Sequence, residues 1–86
     1  MTKIKVTFPG TIDKDMFAFY GRLQYYLSKY ARNIKIEQKD GTIEIDFEMI
    51  IKNRGYFRLY VLTALEQLKE KGVQVEHDIT REKLGF

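Results

Sequence analysis

The residues of this chain able to do chemistry sort into three groups: a lone histidine and a lone serine, a row of carboxylates, and a set of arginines, lysines and tyrosines without acidic neighbours. Nucleophilic catalysis would need Ser28 beside His77, yet the first lies in a helical run and the second in the last strand-like run, at the other end of the chain. Metal binding by His77 lacks companions, because the chain has no cysteine and no second histidine. No catalytic residue, metal ligand or cofactor is therefore assigned. His77, on the inward parity of its run, reads as a partly buried packing residue.

The carboxylates Glu44, Asp46, Glu48 and Asp78 occupy the outward parity of two strand-like runs. They would make an acid/base pair or a divalent-cation site only if a concave wall excluded water around them. Lys3 and Lys5 alternate onto the same face. The expectation is a solvated, ion-paired surface in which each pair contributes under about 1 kcal/mol.

The third group is the more suggestive. No Asp or Glu occurs from Met16 to Ile36 or from Met49 to Leu65, while Arg22, Lys29, Arg32, Lys52, Arg54 and Arg58 all fall inside those runs. Tyr25 and Tyr56 sit among them, off the apolar stripes. Guanidinium groups pair with phosphate oxygens and tyrosine rings stack on bases, so this composition suits nucleic acid. A helix N-terminus around Asn53-Arg54-Gly55 would add free backbone N–H groups that favour an anion.

Whether these segments converge depends on the elements that carry them. Ile4, Val6 and Phe8 alternate with Lys3, Lys5 and Thr7, a half-buried strand closed by Pro9-Gly10. Asp13 and Asp15 mark a helix start, and Met16, Phe19, Tyr20, Leu23, Tyr26, Leu27 and Tyr30 recur every three or four positions up to Ala31. Residues 33–38 and 42–49 alternate again around Asp40-Gly41, a pair that favours the positive φ angles of a type I′ turn. That turn sets Gln38 opposite Ile43, Ile36 opposite Ile45, Lys35 opposite Asp46 and Ile34 opposite Phe47. It also sets Glu37 against Glu44, a like-charge pair. A second helix spans about 53–71, with Phe57, Tyr60, Val61, Ala64, Leu65 and Leu68 inward and Gly72 as its C-cap. Val73, Val75, His77 and Ile79 form the inward parity of a last strand. Residues 80–86 have no period and read as a tail on a single domain of residues 1–86.

The order βαββαβ with right-handed crossovers closes as a four-stranded antiparallel sheet of order 4-1-3-2 with two helices on one face, an α+β fold of ferredoxin-like plait architecture. That architecture hosts many unrelated functions and assigns none. Its antiparallel helices bring the end of the first helix and the start of the second to one pole, so the six basic residues should gather there. Lys3, Arg81 and Lys83 arrive at the same end. Asp13, Asp15, Asp40, Glu66 and Glu70 go to the other.

The net charge of +3 is a mild pull toward polyanions. No apolar run is long enough to span a membrane, and the lack of cysteine fits a reducing compartment, so a soluble, cytoplasmic protein is expected. The expected function is a non-enzymatic module that binds RNA or DNA through the basic, tyrosine-bearing pole. The alternative is a protein-interaction or homodimeric module that uses an edge strand or an exposed helix face, with Phe17, Leu59, Leu84 and Phe86 as unplaced apolar residues.

Overall fold

The computed structural model describes residues 2–84. Strand β1 (Thr2–Thr7) turns Ile4 and Val6 into the core and Lys3 and Lys5 out of it, as a period of two demands. Helix α1 (Lys14–Tyr30) starts at Asp13, whose carboxylate accepts the Met16 N–H at 2.9 Å and satisfies one of the free donors of the first turn. Leu23 and Leu27 form the centre of its buried stripe, flanked by half-buried Phe19, Tyr20 and Tyr26.

Strand β2 (Ala31–Lys39) follows α1 with no intervening loop residue, two residues earlier than its alternation suggests. The early start is possible because Asn33 takes a left-handed conformation (φ 53°) and makes a bulge between Arg32 and Lys35. The expected pairing of Ile34 with Phe47 is lost in that bulge. Beyond it the register is the one derived from the turn, with Lys35 opposite Asp46, Ile36 opposite Ile45, Glu37 opposite Glu44 and Gln38 opposite Ile43. Asp40 and Gly41 both have positive φ (52° and 80°) and close the hairpin to β3 (Thr42–Met49).

The second helix is not regular. A 3₁₀ turn (Ile51–Asn53) leads into one α-helical turn (Arg54–Tyr56), then a π-helical segment (Phe57–Val61), then an α-helix (Leu62–Glu70). Phe57, Val61, Leu65 and Leu68 still bury completely or nearly so. A spacing of four is compatible with both the α and the wider π turn, so periodicity alone did not reveal the switch. Gly72, at φ 93°, ends the helix, and β4 (Gln74–His77) returns along β1.

The sheet order is β2-β3-β1-β4, all antiparallel, which is the expected 4-1-3-2 order counted from the other edge. Both helices pack on one face over a core centred on Ile4, Val6, Ile45, Phe47, Phe57 and Leu65. Asp15 and Lys71 form an ion pair at 3.0 Å, which ties the start of α1 to the end of the second helix, as antiparallel helices require. Residues 80–86 are not wholly a tail: Arg81–Leu84 forms a helical turn, and Leu84 is buried against the core. Gly85, Phe86 and the Arg81 side chain lie outside the described residues. No helix among the described residues is long and apolar enough to cross a membrane.

Candidate nucleic-acid interface

The basic pole is built around an array of tyrosines. Tyr26 and Tyr30 stand one turn apart on α1, Tyr56 and Tyr60 one turn apart on the second helix. Because the helices run antiparallel, Tyr26 meets Tyr60 and Tyr30 meets Tyr56, with ring centroids 4.9 Å and 5.7 Å apart and planes within 19° of parallel. Tyr30 and Tyr60 close the diagonal at 6.1 Å and 11°. Four near-parallel rings therefore line the seam between the helices, graded from buried Tyr30 through half-buried Tyr26 and Tyr60 to Tyr56, which is 56% exposed. Tyr25 adds an edge-on ring 5.4 Å from Tyr26 and is 58% exposed.

Cations lie over aromatic rings of α1. Lys29 Nζ lies 5.8 Å from the centroids of both Tyr25 and Tyr30, and the Arg22 guanidinium lies 5.5 Å from that of Phe19, within range of cation–π attraction. Arg22 also lines a shallow groove between the helices with Tyr26, Tyr60, Thr63 and Gln67. Lys52, Arg54 and Arg58 are exposed along the first turns of the second helix. Of the residues expected to gather, Tyr25, Lys29, Lys52, Arg54, Tyr56 and Arg58 thus stand on the two helix halves that share this end, while Arg22 sits at the middle of α1, level with Thr63 and Gln67.

Arg32 is placed differently. It lies on β2, paired with Glu48 of β3, and its Nε is 3.3 Å from the Glu48 carboxylate. The early start of β2 carries it off the helix end and onto the strand ladder. Lys3 and Lys83 are likewise engaged with carboxylates, at 3.8 Å from Asp46 and 2.8 Å from Asp78. Tyr26, Tyr30 and Tyr60 are the converse case: their helical spacing assigned them to the core stripe, while their position in the array depends on the antiparallel crossing of the two helices.

The open face of the sheet is ion-paired. Lys5 sits in register between Glu44 of β3 and Glu76 of β4, and Lys3 faces Asp46. Burial acts to raise the Asp78 pKa, but the Lys3 N–H at 2.8 Å and the Lys83 ammonium outweigh it and hold the carboxyl below its ordinary value. No group of three or more His, Asp or Glu side chains among the described residues could hold a metal ion. His77 does not pack into the core. Its residue is exposed on the edge strand, and Nδ1 accepts the Ile79 N–H at 3.1 Å. Partial burial, with a smaller contribution from Lys69, lowers its pKa.

Comparison of the chain with protein-family models, with curated proteins and with solved structures returns no match.

Proposed function

We propose that this protein is a non-enzymatic nucleic-acid-binding module, and that its working surface is the end where the last turns of α1 meet the first turns of the second helix. The observation that carries this reading is the graded tyrosine array beside Arg22, Lys29, Lys52, Arg54 and Arg58. Tyr25 and Tyr56 are the exposed members that offer ring faces and edges to bases, and the buried members hold them in place. Base stacking on such rings contributes about 1 to 3 kcal/mol per base and tolerates any sequence. The cations would supply the phosphate contacts. A surface built from Tyr and Arg also suits protein partners, and direct binding to nucleic acid separates the two.

The test is binding to single- and double-stranded RNA and DNA over a salt series. Contact with four or five phosphates of duplex DNA gives a slope of log K against log salt of about −4. In the Arg54→Glu/Arg58→Glu variant, with folding checked by circular dichroism, the slope should flatten and affinity should fall. Tyr56→Ala should weaken single-strand binding with the slope unchanged. No salt-dependent binding to any of the four nucleic acids refutes the proposal.

A further inference from the structure

The free edge of β2 carries a second, independent feature. In a two-residue hairpin the residues flanking the turn form a hydrogen-bonded pair, here Lys39 and Thr42. Strict alternation from that pair turns the N–H and C=O of Glu37 and Lys35 toward β3 and those of Ile36 and Gln38 toward the open edge. The bulge at Asn33 ends the regular edge just before Ile34. On the helix-side face of the same stretch Ile36 is 49% exposed, although its cross-strand neighbour Ile45 is fully buried and Ile34, nearer the start of the strand, packs against the core.

We infer that this chain forms a two-fold homodimer by antiparallel pairing of β2 with β2 of a second copy, with Ile36 on the two-fold axis. The register follows from charge. A two-fold at Lys35 sets it against the partner's Lys35, and one at Glu37 sets it against the partner's Glu37, both unfavourable. A two-fold at Gln38 places Ile36 opposite the turn residue Asp40 of the second copy. A two-fold at Ile36 puts Lys35 opposite the partner's Glu37 and Glu37 opposite the partner's Lys35, stacks Ile36 on its own copy, and uses backbone groups that already point outward. It also brings a counter-charge to Glu37, which within its own chain faces Glu44. Lysines on an edge strand ordinarily discourage pairing. Here Lys35, which already faces Asp46 of its own chain, meets a carboxylate of the second copy in one register alone, so the same side chain that disfavours other pairings selects this one. Such an interface is isologous and closed, and extends the sheet continuously through both copies with all helices on one side.

Sedimentation or light scattering across a concentration series tests this. The parent protein should dimerise reversibly. Ile36→Pro removes an outward N–H without touching the ladder to β3 and should leave a folded monomer. Glu37→Lys relieves the contact with Glu44, so its fold is secure, yet it creates two like-charge pairs across the dimer. Lys35→Glu creates two like-charge pairs of the opposite sign across the dimer and also sets a carboxylate opposite Asp46 of its own chain, so its fold is checked by circular dichroism. Each should weaken self-association about tenfold or more, and mixing the two variants should restore it as a heterodimer, since every lysine then faces a glutamate. A parent that stays monomeric up to about 1 mM, a dimer that survives Ile36→Pro, or charge variants that associate no better mixed than alone would each overturn the inference.

Discussion

Tyr26 of α1 and Tyr60 of the second helix face each other with ring centroids 4.9 Å apart and planes 19° from parallel, the tightest contact in the tyrosine array. Offset parallel rings at that distance attract beyond the area they bury. A double-mutant cycle of Tyr26→Leu and Tyr60→Leu, followed by urea unfolding, should return a coupling energy of about 0.5 to 1.5 kcal/mol. A coupling near zero would mean that the rings are neighbours without being partners.

Asn33 holds a left-handed backbone at φ 53°, where a side chain without a short polar group is strained. Asn33→Ala is expected to cost about 1 kcal/mol, and Asn33→Gly to be close to neutral because glycine adopts that region freely. The difference between the two variants in thermal unfolding reads the bulge directly.

Leu84 is only 4% exposed at the end of the C-terminal helical turn. Leu84→Ala should therefore destabilise the protein by about 2 kcal/mol or more, as for other buried leucines, whereas a solvated tail position would show no loss. Chemical denaturation of the variant against the parent settles which applies.

His77 ties stability to pH. Its folded-state pKa lies below the ordinary 6.5, first because partial burial disfavours the imidazolium and second because Lys69 repels it, with Asp78 and Glu66 opposing. The unfolded chain therefore binds the proton more readily than the folded one. Stability from this group is fully present above pH 6.5 and declines as pH falls from there through the folded-state value, as the Nδ1 acceptor for Ile79 is lost. His77→Gln should remove that part of the slope in a pH series of unfolding curves, and the imidazole resonances of the parent should titrate below 6.5.

Much of the fold is legible residue by residue. The alternation in β1 and β3, the Asp40-Gly41 turn and the spacing of Leu23, Leu27, Leu65 and Leu68 are local signals, and the structure has the strand order they imply. Three features escaped. The π-helical segment did so because a spacing of four fits two helix types. The early start of β2 did so because Asn33 interrupts the alternation with a bulge. Leu84 did so because one apolar residue in a four-residue turn has no period to display.

The same division holds for the candidate site. The amino-acid order by itself determined that two acid-free segments exist and, because the β2-β3 hairpin reverses the chain and sets the two helices antiparallel, that they share one end of the molecule. Only the tertiary structure decided what that end presents. Helix packing turned Tyr26, Tyr30, Tyr56 and Tyr60 from members of separate stripes into one ladder of rings, because antiparallel neighbours match positions in reverse order. Strand pairing drew Arg32 away to Glu48, because a side chain on a sheet goes where its register neighbour is, whatever its distance along the chain from the helix.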